Sequence, residues 1–318
     1  MQKKLIYAFL GLITIIIVAI VVLDILGSRP EKRGDNPFSL NVDEFRDVDP
    51  ELILYDETKN LKLQSGEYRG MDISGDQLFV ISDNYLQGIS TSGQELRKFS
   101  LPESPRAVLV DGDRVYIGFL NSVSIFSFEG DLLSAFQPIN DSAVVTNMAI
   151  VGDHLFVADA GNRQVLRYTL EGELLGRFHG KKESNDHHGF IVPSANFDLV
   201  NNDDELWVVN PGMHTLENYS ESGELRGYWE SISMTIEGFG GCCNPARISV
   251  LPTGQFVTSE KGLIRVKIYD QSGKFAGVVA APKKFDEGGH APDIAVSDEG
   301  VIYALDFDRD MIRIFEEK

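Results

Sequence analysis

Residues 155–168 read Leu-Phe-Val-Ala-Asp-Ala-Gly-Asn-Arg-Gln-Val-Leu-Arg-Tyr, with Gly152-Asp153 just before them and Glu171-Gly172 just after. Two short β-rich runs joined by a polar loop, with a tight Gly turn outside each, describe neighbouring antiparallel strands that reverse at both ends. The same order recurs along the chain. The spacing between the two turns is 18 residues (Gly75 to Gly93), 18 (Gly112 to Gly130), 20 (Gly152 to Gly172), 19 (Asp204 to Gly223) and 19 (Gly254 to Gly273). Repeats of about forty residues that each supply four short strands predict the blades of a β-propeller.

A sixth copy, residues 294–315, ends after three strands. An open sheet edge there would invite mispairing. The apolar run Leu-Ile-Leu-Tyr at 52–55 stands just ahead of the first copy and is expected to supply the missing strand. The expected fold is therefore all-β: a six-bladed propeller over residues 51–318.

The third copy, with its Asp159, Gly161, Asn162 and Arg163, resembles the NHL repeat; the fifth does so less completely, with Ser259-Glu260-Lys261 in place of the Asp-x-x-Asn element. The resemblance spans roughly residues 65–318, and the first two copies lack the signature. It implies a six-bladed propeller. It leaves function open, since members of that family include scaffolds, binding proteins and a few lyases or hydrolases.

Ahead of the repeats, residues 5–23 contain no charged side chain. At about 1.5 Å per residue such a helix reaches about 28 Å, close to a bilayer's hydrocarbon thickness. A cleaved signal peptide would need a shorter apolar core and a small-residue cleavage site, and neither is present. Residues 1–26 are thus expected to form a tail and transmembrane helix, and 27–50 a stalk rich in Pro, Gly and charge. Lys3 and Lys4 favour an internal N-terminus, while Arg29, Lys32 and Arg33 pull the other way. The short N-terminal tail favours a single-pass membrane protein with its propeller extracytoplasmic. Taking Lys3, Lys4 and Asp24 from the whole-chain counts of 29 basic and 48 acidic residues leaves 27 against 47, a formal −20 beyond residue 26. That charge argues against nucleic-acid partners and leaves a protein or small-molecule ligand as the expected partner.

Strand order puts the connections between blades on the same face as the loops between second and third strands. Asp186-His187-His188, Cys242-Cys243-Asn244 and His290 map there, with Glu260, Lys261, Asp306 and Asp308. His187, His188 and His290 are the candidate metal ligands, and a divalent metal is the cofactor such a set would hold. The plainer reading is three solvated loop histidines. Cys242 and Cys243 are the chain's only cysteines. They fit a vicinal disulfide, a pair of ligands for a soft metal, or two small side chains filling a gap. The entry positions of the first strands read Arg69, Arg106, Asn147, Asn196, Arg247 and Asp293, a polar ring able to hold a small anion or ordered water. The candidate ligand-binding residues are therefore Cys242, Cys243, Asn244, Arg247, Arg69, Arg106, Glu260 and Lys261. The leading expectation is a membrane-tethered recognition or scaffold propeller, with a metal-dependent lyase or hydrolase and a redox-associated protein as alternatives. No P-loop, GxGxxG, CxxC or CxxCH motif narrows the choice.

Overall fold

The computed structural model describes residues 2–27, 42–180 and 189–318. They fall into two compact units, Met1–Val42 and Asp43–Lys318. The first holds the helix α1 (Gln2–Gly27). Its side chains are described without a break over 11–22, and all of these are exposed. Among the described residues no helix is long and apolar enough to cross a membrane.

The second unit is a six-bladed β-propeller. It opens with β1 (Tyr55–Lys62). Blade one is β2 (Tyr68–Ser74), β3 (Gln77–Ser82), β4 (Tyr85–Ser90) and β5 (Glu95–Ser100). Blade two is β6 (Ala107–Asp111), β7 (Arg114–Gly118), β8 (Val123–Ser127) and β9 (Leu132–Ala135). Blade three is β10 (Val145–Val151), β11 (His154–Asp159), β12 (Gln164–Thr169) and β13 (Leu174–Phe178). Blade four is β14 (Leu199–Asn202), β15 (Glu205–Asn210), β16 (Thr215–Tyr219) and β17 (Leu225–Glu230). Blade five is β18 (Arg247–Val250), β19 (Phe256–Ser259), β20 (Val266–Tyr269) and β21 (Phe275–Ala280). Blade six joins β22 (Asp293–Val296), β23 (Ile302–Asp306) and β24 (Met311–Glu317) to β1.

Each blade is an antiparallel sheet, and the first strands β2, β6, β10, β14, β18 and β22 touch in a closed cycle. The core is correspondingly split into six apolar clusters, one between each pair of neighbouring blades. Alternation along one strand shows why. In β3, Leu78 and Val80 pack toward blade six, while Phe79 and Ile81 pack toward blade two. A strand covered on both sides reads as an unbroken apolar run, which is the Leu-Phe-Val-Ile of the repeat. The outer turns add a second contact. Gly172 has φ +102°, and a Cβ there would lie 2.3 Å from Phe136 at the rim of the preceding blade, so only glycine fits.

The closing strand differs from the sequence expectation. It is β1, Tyr55–Lys62, in antiparallel register with β24 from Tyr55 opposite Glu317 to Lys62 opposite Met311. The apolar run at 52–54 lies one step earlier, against blade five: Ile53 bridges Val278, and Leu54 donates its N–H to Val278 O at 2.9 Å. An outer strand has one face on its neighbour and one in water, so a charged sequence serves there and also guards the edge. A buried clasp secures the joint. Arg313 of β24 donates to Asp306 Oδ2 (2.9 Å), to Glu57 Oε1 of β1 (2.8 Å) and to Lys284 O (2.9 Å). Burial alone would raise the Glu57 carboxyl, but Lys284 and Arg313 outweigh it and hold it below its ordinary value. Arg313→Ala removes the cation that Asp306 pairs with in the clasp and leaves Glu57 with Lys284 alone. It is expected to cost about 3–5 kcal/mol in chemical denaturation.

Candidate functional site

The first strands enclose a cavity of about 350 Å³ along the propeller axis, lined by all six blades. It opens into a wider cavity of about 880 Å³ on one face. Arg69, Arg106, Thr146 and Arg247 line both and so form the neck. The wider mouth is walled by connections entering blades one, four and six, by Lys261 and Gly262 between β19 and β20, and by Phe307 and Asp308 between β23 and β24. These are the loops that strand order places on one face.

The register along the axis refines the expected ring. Asn147, Arg247 and Asp293 stand on equivalent rungs, opposite Ala158, Ser259 and Leu305. In blades one and two that rung holds Gly70 and Ala107, opposite Ile81 and Gly118, so Arg69 and Arg106 sit one residue nearer the mouth. In blade four Leu199 pairs with Val208, which puts Asp198 on the rung and leaves Asn196 in the mouth wall. Bulges at Tyr68/Gly70 and Val145/Asn147 shift the count, and no periodicity announces them.

The axial carboxylates are committed to the scaffold. Asp72 Oδ2 accepts the Val110 N–H at 2.7 Å, Asp198 Oδ2 that of Ile248 at 2.9 Å, and Asp293 Oδ2 that of Met71 at 2.8 Å. Each therefore staples one blade's first strand to the next. Burial pushes Asp72 up to about 7, against the pull of the Val110 and Ile73 N–H groups. Burial pushes Asp198 up to about 6, with the Arg247 charge opposing it, and raises Asp293 in the same way.

The cations of the mouth are less well matched. Arg247 Nε lies 3.5 Å from Asp293 Oδ1, and its Nη1 is 3.5 Å from Thr146 O. Arg69 Nη2 donates to Glu67 Oε2 at 2.9 Å, while its Nε is buried without a partner. Among the described residues, no hydrogen bond or ion pair is made by the Arg106 guanidinium or the Lys261 ammonium. His290 is exposed on the rim, where its Nδ1 meets Asp308 Oδ1 at 2.7 Å and its N–H donates to Oδ2 at 2.7 Å. Only Nε2 of that ring remains for a ligand.

The other candidate residues lie outside this lining. Glu260 is buried with Arg265 and Lys267, its carboxylate 2.7 Å from Arg265 Nη2 and 2.8 Å from Lys267 Nζ. All five Arg265 donors are used: three contacts to Glu260 and Gly238 O, and Nη1 to Met234 O and Thr235 O. Burial pushes Lys267 down to about 8, with Glu260 opposing. Glu260 thus braces the 234–240 loop. Asn244 is also buried; it bonds Gly240 O (2.6 Å) and both the N–H and C=O of Lys261 (2.9 and 3.1 Å), which fixes the backbone from which Lys261 enters the mouth. Cys242 is exposed and Cys243 buried, both as free thiols with their Sγ atoms 2.9 Å apart. Cys243 raises the Cys242 thiol, against a smaller opposing effect of Lys261. His187 and His188 lie outside the described residues. Among the described residues, no three His, Cys, Asp or Glu side chains are grouped to hold a metal.

No protein-family model matches the sequence, and neither does any curated protein. Solved structures do resemble the fold. A streptogramin B lyase matches with a TM-score of 0.56 and 12% identity, over 82% of this chain and 97% of its own. A catalytically inactive histidine-to-alanine variant of virginiamycin B lyase from Staphylococcus aureus, with quinupristin, gives 0.57 and 14%, over 80% and 82%. The Pan2 WD40 domain of Neurospora crassa gives 0.55 and 10%, over 83% and 95%. The likeness is one of fold.

The raised axial carboxyls set a pH signature. A carboxyl held near pH 7 in the folded chain but near its ordinary 3.8 when unfolded binds its proton more tightly in the fold. Its contribution to stability is full below about pH 4 and is lost as the pH rises to about 7. The fall in denaturation midpoint across that window is expected to be shallower in Asp72→Asn than in the natural protein.

Proposed function

We propose that this chain is a membrane-tethered recognition propeller that binds a small ligand in its mouth. The observation that carries the reading is the cavity of about 880 Å³ built by loops from separate blades, a size and concavity suited to a small molecule. Apolar Tyr68, Val145, Ala195 and Phe307 share its wall with a few charged groups, the usual composition of such sites. The tether is the charge-free run at 5–23, where every described side chain is exposed and calls for an apolar surrounding. In this reading the propeller lies outside the cytoplasm.

A second reading rests on His290 and Asp308. Two of the similar solved structures are lyases, one of them inactivated by loss of a histidine. A carboxylate-held imidazole at the mouth is what an enzyme there would use, either as a base or as one ligand of a divalent metal.

Thermal shift of the full-length protein in detergent against a panel of small metabolites tests both readings. A ligand is expected to raise the melting temperature with concentration. Ala195→Trp, which fills the mouth, should abolish that rise, and Leu132→Trp on the exposed outer strand β9 should keep it. A ligand whose effect survives Ala195→Trp places recognition elsewhere. Turnover of the bound ligand that disappears in His290→Ala while binding persists would establish the enzyme.

A further inference from the structure

We infer that the neck of the mouth is an anion site that takes the acid group, carboxylate or phosphate, of an organic ligand on Arg69, Arg106 and Arg247. The inference rests on the recognition reading above and names its ligand class. Sign comes first. Four cations line the outer mouth, Arg69, Arg106, Arg247 and Lys261, against two carboxylates, Glu67 and Asp308, a formal +2; in the deeper cavity the three arginines face Asp72, Asp111 and Asp293, a formal zero. The chain beyond residue 26 carries −20, from 27 basic and 47 acidic residues. A positive mouth on a negative domain draws anions toward it.

Donor counting gives the second argument. A guanidinium has five N–H donors, and leaving them unmet while half-buried is costly. Arg106 makes no hydrogen bond or ion pair among the described residues. Arg69 satisfies one donor on an exposed glutamate and buries Nε unmatched. Arg247 has two contacts, both at 3.5 Å. The nearest acids offer no remedy. Asp72, Asp198 and Asp293 each spend one oxygen on a neighbouring strand's N–H; the second oxygens of Asp72 and Asp198 take the Ile73 and Leu199 N–H groups, and that of Asp293 reaches Arg247 only at 3.5 Å. The neck is short of acceptors, and an outside anion supplies them. Arginine's planar fork suits a carboxylate or phosphate, which it can hold through two parallel bonds.

Size gives the rest of the ligand. The mouth is far larger than an inorganic oxyanion, and Ala195 and Phe307 offer apolar surface beside the cations. The acid group belongs at the neck and an apolar body outward, with Lys261 at the rim. Asn244, itself tied to Gly240 O, holds the Lys261 backbone through two hydrogen bonds that involve no ligand, so the rim is preformed.

The test is calorimetric titration of the full-length protein with benzoate, phenyl phosphate and inorganic phosphate, with benzamide as the neutral isostere of benzoate. Benzoate or phenyl phosphate is expected to bind at least about tenfold more tightly than benzamide, and to weaken as sodium chloride is raised. The stronger of the two names the acid; inorganic phosphate, lacking the apolar body, should bind more weakly than phenyl phosphate. Arg106→Gln and Arg69→Gln should each cost about tenfold with melting temperature unchanged. Lys261→Gln, at the rim, should cost less. Equal binding of benzoate and benzamide, blocked by Ala195→Trp, would overturn the anion assignment and leave the recognition reading standing. Acid binding that survives Ala195→Trp and both arginine variants places the anion away from the neck and overturns the inference. Failure of every probe also overturns it, and the metabolite panel then decides the recognition reading by itself.

Discussion

A four-stranded sheet that is apolar on both faces needs a neighbour on each side, and a row of such sheets has no stable end until it curls into a ring. Every other feature of this protein depends on that closure. The six apolar clusters lie between blades and none lies within one, so opening a single joint exposes two faces at once. The joint is made by strands from opposite ends of the domain, β1 and β24, and Arg313 locks it with a bond to each side. Pairing the two ends is the entropic cost of this design, since it closes the longest loop in the fold.

Polar braces then add to the apolar contacts of blades three to six. In blade three, Asp159 at the end of the second strand bonds Gln164 five residues on; in blade six, Asp306 bonds Arg313 seven residues on. Blade five does both, from Glu260 to Arg265 and Lys267, and blade four uses Asn210 with Glu217. The offsets follow from antiparallel strands joined by a short loop: residues that end one strand face those that begin the next. In blade five the second cation exceeds what Glu260 can neutralise. The surplus is met by the carbonyl of Gly238 and by the rings of Phe239 and Tyr269, 4.9 and 5.1 Å from Lys267 Nζ. A long, Gly-rich loop is thereby fixed to the blade beneath it.

These mechanisms explain which parts were legible in the amino-acid order. Strand count, turn spacing and blade number are written into every copy, because each copy must bury the same faces and make the same Gly reversals. The closing strand is not, since Tyr-Asp-Glu-Thr-Lys-Asn-Leu-Lys answers to water on its outer face and carries no apolar run. The expectation settled on Leu52–Tyr55 instead, of which Tyr55 begins the closing strand while Leu52 and Leu54 lie beside Gly277 in blade five. Glu260 and Asn244 stood out as polar residues on the right face, yet their side chains turn into the scaffold. The offset of five and seven residues to Arg265 and Lys267 was the available signal for Glu260. Tyr68 and Phe307 carry no signal of their own, because they reach the mouth only through the closure of the ring.

The chemistry of the neck follows from the same closure. Where blade six meets blade one, Asp293 must reach the Met71 N–H, and a Cβ at position 70 would already lie 3.4 Å from its Oδ2. That is close contact, so a small residue suits this rung, and blade one carries its polar group one residue earlier, as Arg69. Blade two has Ala107 on the corresponding rung and likewise presents Arg106. Two of the three arginines are thus set apart from the acids by depth. The carboxylates sit where main-chain N–H groups of the next blade can occupy them, Arg247 shares their rung with two long contacts, and Arg69 and Arg106 sit one residue nearer the mouth. That sorting gives the neck its unmet donors.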